Sequence, residues 1–145
     1  MQTIFFTLCS NNYLAQAKTL GDSLMQINSD VRFIIGLVDK KHQEIDYDFF
    51  EPFEILGFNE IGCPSFDEMI SIYNIIEFNT AVKPFYIEYL FAKYSEVMEV
   101  FYLDPDLFFF QSVGLLSKEF GDSEILLTPN LIYRTDKPSI GEFGS

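Results

Sequence analysis

Asp104 and Asp106 stand one residue apart around Pro105, at the end of the mainly apolar run Val97-Met98-Glu99-Val100-Phe101-Tyr102-Leu103. Two carboxylates at i and i+2 around a fixed bend can turn toward one hard divalent cation, and that cation can hold a diphosphate. Proline stops a strand at this point, because it lacks an N–H and fixes φ. The same spacing also suits a polar strand-end turn, where Asp and Pro are ordinary. What the pair does therefore depends on its surroundings.

Other residue types able to bind a ligand lie far from the pair in sequence. Ser10, Asn11 and Asn12 follow one apolar segment and Asp39 follows another. Asn11 and Asn12 can contact a base or cap a helix. Asp39 can bind a ribose hydroxyl or cap the segment after it. Lys83, at the start of a helical stretch, can meet a phosphate where backbone N–H groups favour anions, or remain a solvated lysine. Tyr13 and Tyr102 can stack on a base if exposed. His42, the only histidine, sits among Lys40, Lys41 and other polar residues and reads as solvated. One His and two scattered Cys exclude a zinc site, and no Gly-rich phosphate loop of either common kind occurs. A Ser-His-Asp triad has no support beyond the presence of those residue types.

These residues need elements to position them. Thr3–Cys9 is a β-branched and aromatic run that predicts a first buried strand. Leu14, Ala17, Leu20, Leu24 and Ile27 then recur at helical spacing over Tyr13–Asn28, with Gly21 a weak point. Val31–Val38 predicts a second buried strand. Strand, helix, strand at this spacing is a βαβ unit, so the two strands are parallel. Lys40–Asp48 reads as a loop or short helical turn, and Phe53–Phe58 as a third, edge strand. Ser65-Phe66-Asp67-Glu68 is a capping-box pattern opening a helix over the apolar run Met69–Ile76. Pro84 falls in the first turn of a further helix, with Ile87, Leu90, Phe91 and Tyr94 inward.

The run from Val97 to Leu103 predicts a strand covered on both faces. Leu107–Phe110 reads as a short strand or a turn back to the core, and Glu124–Thr128 as another strand. The stretch Arg134–Ser145, rich in Gly, Pro, Ser and charge, holds no element able to cover a sheet. In a parallel sheet all strand C-termini share one edge, where open α/β folds bind ligands. Ser10–Asn12, Asp39 and Asp104–Asp106 therefore converge.

Composition bounds the partners. The 145 residues are 48% hydrophobic and 17% aromatic, enough for one globular domain with a core. With 22 acidic against 9 basic residues the net charge is −13, so no basic stripe exists for nucleic acid. Anionic membranes are disfavoured for the same reason. An anionic nucleotide needs local help from a metal or a helix N-terminus. No apolar run reaches the roughly 18 residues of a membrane span, and no signal peptide opens the chain. Cys9 and Cys63 form no disulfide framework, which suits a reducing compartment, and the expected location is cytoplasmic.

Four stretches carry a family resemblance. They are Phe6-Thr7-Leu8-Cys9-Ser10-Asn11-Asn12-Tyr13-Leu14 with the helix after it, Val31–Asp39, Ala81-Val82-Lys83-Pro84-Phe85, and Val100-Phe101-Tyr102-Leu103-Asp104-Pro105-Asp106. In this order they resemble the N-terminal nucleotide-binding half of GT-A fold glycosyltransferases, especially the retaining, glycogenin- and galactosyltransferase-like ones. The last stretch is similar to that family's DxD motif.

The resemblance implies a Rossmann-like α/β fold, a mostly parallel sheet flanked by helices. It also implies a nucleotide-sugar donor, first of all a UDP-sugar. Asp104 and Asp106 would coordinate Mn²⁺ or Mg²⁺ bridging the diphosphate, with Asp104 also near the ribose. Thr7, Ser10, Asn11 and Asp39 would line the nucleotide, and Lys83 would face the diphosphate or the sugar. The family continues past the point that Ser145 reaches, into an acceptor half that supplies a further metal ligand, usually a His. The expectation is thus one nucleotide-binding domain over residues 1–145 without its acceptor half, and transferase activity of these residues alone is doubtful. Two rivals remain. One is a non-catalytic binding or assembly module, homo-oligomeric through an uncovered edge. The other is a metal-dependent phosphotransferase using Asp104 and Asp106.

Overall fold

The structure, a computed structural model, describes residues 2–28, 30–63, 66–114, 116–119 and 123–128. The chain divides into two units, Met1–Val113 and Gly114–Ser145. The first contains β1 (Gln2–Cys9), α1 (Leu14–Ile27), β2 (Arg32–Leu37), β3 (Glu54–Gly57), α2 (Phe66–Ile72), α3 (Ile75–Ala81), α4 (Lys83–Lys93) and β4 (Val97–Tyr102). Short 3-10 turns occupy Asn11–Tyr13, Tyr47–Phe50 and Phe58–Glu60. In the second unit α5 covers Leu116–Glu119, and residues 123–128 are irregular. The strand expected over Glu124–Thr128 does not form, since an apolar run becomes a strand only beside a partner ladder. The Arg134–Ser145 stretch and Ser65 of the expected capping box lie outside the described residues.

Four strands form one sheet in the order β3-β2-β1-β4, and every pairing is parallel. The fold is thus α/β, with helices flanking a Rossmann-like parallel sheet. Alternation along β1 divides its side chains between two faces. Ile4, Phe6 and Leu8 join Ile34, Val38, Leu56, Val82, Tyr86 and Leu90 in one core beneath α4. Helix α1 covers the opposite face, burying Leu14, Ala17, Leu20 and Leu24. Gly21 is where this helix meets the sheet: a Cβ there would lie 2.7 Å from both Phe33 and Phe53. A residue that weakens the helix by propensity is thus required by packing. Ile27, assigned inward by its spacing, is 38% exposed in the last turn.

Three further expectations are corrected. The run Met69–Ile76 is not one helix. Asn74 interrupts it, its Oδ1 accepting from the N–H groups of Ile76 and Glu77 at 3.0 and 3.1 Å while Glu77 Oε2 accepts from Asn74 N–H at 2.9 Å. That reciprocal cap starts α3 and defeats the hydrophobic run. In α4 the inward stripe runs Val82, Tyr86, Leu90 and Tyr94, with Ile87 half-buried and Phe91 43% exposed. Burying a tyrosine there is possible because its hydroxyl finds a carbonyl, described below. Lastly, β4 is not covered on both faces. Its Met98 is 64% exposed and its residues 99–102 are only half-buried, and it is the last strand of the sheet among the described residues. Leu107–Phe110 forms no strand; it lies against α1, with Phe109 N–H donating to Ser23 Oγ at 3.1 Å.

Candidate functional site

The strand order places a topological switch point between β1 and β4. From β1 the chain builds β2 and β3 to one side, then returns through α2, α3 and α4 to add β4 on the other. Loops leaving adjacent strands on opposite sides open a crevice outside the carboxyl ends, where α/β sheets hold ligands. Asp104-Pro105-Asp106 leaves β4 at that point, and Ser10-Asn11-Asn12 leaves β1. Backbone bonds fix both exits: Leu103 N–H donates to Phe6 O at 2.9 Å and Val38 N–H to Cys9 O at 3.1 Å. Leu107 N–H donates to Asp104 O at 3.2 Å, closing a turn that leaves both carboxylates exposed.

Tyr102 organises the pair. It is half-buried, and Lys83 Nζ lies 3.9 Å from its ring centroid. Burial pushes its phenol above the ordinary range, and the negative charge of the neighbouring Asp104 pushes it further. Asp106 adds a smaller share to the same rise. Pro84 falls at the start of α4 and Lys83 sits in its first turn, where the N–H groups of Phe85 and Tyr86 donate to Val82 O. A lysine, two carboxylates and a tyrosine from α4 and β4 thus meet at the crevice. Among the described residues no group of three or more His, Cys, Asp or Glu side chains is arranged to hold a metal ion. The exposed pair alone offers hard oxygen donors of the kind Mg²⁺ and Mn²⁺ take when phosphates and water complete the shell.

The loops after β1 and β2 are stapled together. Asn11 N–H donates to Asp39 Oδ2 at 2.8 Å, and Asn11 Nδ2 donates to Lys40 O at 2.9 Å. Tyr47 OH donates to Asn11 Oδ1 at 2.6 Å and accepts from His42 N–H at 2.8 Å. Asn11 therefore holds the rim in shape, with both ends of its amide engaged. Asp39 accepts from the Asn11 turn with Oδ2, and its Oδ1 has no hydrogen-bond partner among the described residues. Ser10 begins that turn and is buried, with no capping bond from its side chain. Thr7 is wholly buried within β1, and its Oγ1 has no partner among the described residues. The structure does not bring Thr7 to the rim. Asn12 and Tyr13 are exposed there, as stacking on a base would require of Tyr13. Cys9 ends β1 beside these loops, but burial pushes its thiol up to about 12, with Asp39 adding to the rise. Burial of this kind disfavours the thiolate, the reactive form of the group.

Two features escape a reading of the sequence. One is Tyr86, whose hydroxyl donates to Leu37 O at 2.9 Å, with Leu56 O at 3.5 Å, tying the carboxyl ends of β2 and β3. Gly36 admits its ring, since a Cβ there would collide with Leu8 and Tyr86. The other is a cleft of about 390 Å³ lined by Lys40, Lys41, Phe58, Asn59 and Glu60, the residues that follow β2 and β3. Adjacent lysines after a strand are the only signal of it in the sequence. No family model matches the chain, and no curated protein matches it. No helix among the described residues is long and apolar enough to cross a membrane.

Proposed function

We propose that this protein binds a nucleotide sugar through a divalent cation held by Asp104 and Asp106, as the donor-binding domain of a GT-A type glycosyltransferase. The observation that carries the reading is the position of Asp104-Pro105-Asp106 at the switch point of a parallel sheet, with Lys83 close by over Tyr102. Asp104 and Asp106 supply the cation's protein oxygens, and Lys83 supplies a point charge for a phosphate. Asp39 offers its free oxygen to a ribose hydroxyl. The bound ion neutralises the charge that develops on the nucleoside diphosphate as its bond to the sugar's anomeric carbon breaks.

A thermal-shift panel tests this reading. UDP, GDP and ADP, each with and without Mn²⁺, are scored for a rise in melting temperature. At least one nucleoside diphosphate is expected to stabilise the protein only with the metal, by the mass action of binding to the folded state. Stabilisation by simple phosphate esters with no preference for nucleotides would favour a phosphotransferase instead. A second reading is an assembly module that keeps the fold, and it draws on exposed apolar side chains such as Met98 of β4, 64% exposed. Light scattering separates the two: a monomer without partners argues against obligate assembly.

A further inference from the structure

We infer that the cleft bounded by Lys40, Lys41, Phe58, Asn59 and Glu60 receives the base of the bound nucleotide, a placement that rests on the diphosphate reading of Asp104 and Asp106. The first argument is position. The cleft follows β2 and β3, and the carboxylate pair follows β4, on the same edge of the sheet. Strands lie about 4.8 Å apart, so two to three spacings separate the two places, roughly 10–14 Å. An extended nucleoside diphosphate covers that span from base to terminal phosphate. Asp39 lies between them, at the end of β2, where the ribose would pass.

The second argument is chemistry. Phe58 stacks on Phe66 with ring centroids 3.9 Å apart and planes 3° from parallel, and Phe66 meets Phe78 edge-on at 5.4 Å. Phe58 is thereby a held aromatic wall, and base stacking on such a wall tolerates any base. Asn59 is exposed, and its amide has no hydrogen-bond partner among the described residues, so it can meet a base edge as donor and acceptor. Glu60 is already tied, accepting from Gly57 N–H at 2.9 Å. The volume, about 390 Å³, is near the lower limit of ligand pockets, enough for one ring system but not a whole nucleotide sugar.

The third argument is charge. In the first unit Lys18, Arg32 and Lys93 are each paired with a carboxylate. Lys40, Lys41 and Lys83 are paired with none among the described residues, and all three stand at the carboxyl edge. In a chain of charge −13 these three cations stand beside Asp39, Glu60, Asp104 and Asp106 and give an anionic ligand local positive partners at this edge.

Calorimetry on the full chain with Mn²⁺ tests the inference, using UDP, ADP, GDP and inorganic pyrophosphate. At least one nucleoside diphosphate should bind about tenfold tighter than pyrophosphate. Phe58→Leu and Asn59→Ala should each erode that advantage and leave pyrophosphate affinity unchanged, whereas Asp106→Ala should abolish binding of both ligands. Asn59 is exposed, so its substitution reads the cleft even if Phe58→Leu perturbs packing. Wild-type affinity for nucleoside diphosphates in both cleft variants, with loss in Asp106→Ala, overturns the cleft assignment and leaves the diphosphate site standing. Loss in the cleft variants alone, with Asp106→Ala unchanged, removes the metal reading and leaves a nucleoside site. Binding of neither ligand by the wild type overturns both.

Discussion

Lys83 and Tyr102 show how little of a site's chemistry is local in sequence. Nineteen positions apart, they meet because α4 runs back along the sheet and starts above the end of β4. The lysine was legible as a candidate from its place before Pro84, but its partner was not, since no spacing rule links a helix start to the next strand's end. Asn11 shows the reverse. Its residue type suggested a ligand contact, and the structure commits its amide to Lys40 O and the Tyr47 hydroxyl. Lys83→Met is therefore expected to weaken nucleoside diphosphate binding roughly tenfold, about 1.4 kcal/mol, with unchanged circular dichroism. Asn11→Ala should instead lower stability by about 1 kcal/mol in urea titration, because it removes rim hydrogen bonds.

The elements themselves were the most readable level. The βαβ unit and α4 declared themselves through periodicity, and parallel pairing followed from the crossover. What periodicity could not supply was each element's neighbours. The apolar run of β4 looks like a strand buried on both faces, yet its residues 99–102 are only half-buried and Met98 is exposed. Tyr86 reads as an ordinary aromatic, yet it is the bolt between β2 and β3. Two substitutions test that role. Tyr86→Phe leaves Leu37 O without its buried donor and should cost about 1–3 kcal/mol of unfolding free energy. Gly36→Ala forces a methyl against Leu8 and Tyr86 and should cost a similar 1–3 kcal/mol by overpacking. Urea unfolding monitored by circular dichroism measures both, and wild-type midpoints would remove Tyr86 from this role.

Across the molecule, charge is sorted between the two edges of the sheet. At the amino edge Glu54 accepts from Arg32 at 3.0 Å, Lys93 at 2.6 Å and Tyr94 at 2.6 Å, and the Arg32 guanidinium lies 3.9 Å from the Tyr94 ring centroid. Burial raises the Glu54 carboxyl, but the hydrogen bonds from Lys93, Tyr94 and Arg32 outweigh it and hold the group below its ordinary 4.5. A lowered carboxyl pKa gives stability that is present above the ordinary value and lost as pH falls through the lowered one. The melting-temperature gap between wild type and Glu54→Gln should therefore be open at neutral pH and close in acid. A gap independent of pH would assign the network no electrostatic share. At the carboxyl edge Lys40, Lys41 and Lys83 form no ion pair among the described residues, and two exposed carboxylates stand at the switch point.

The most direct test of the central claim is Mn²⁺ binding followed by electron paramagnetic resonance, with and without UDP and GDP. The account predicts that one nucleotide tightens Mn²⁺ binding in the wild type and that Asp106→Ala abolishes the effect while remaining folded. Mn²⁺ binding that is indifferent to every nucleotide, or unchanged in Asp106→Ala, would contradict it.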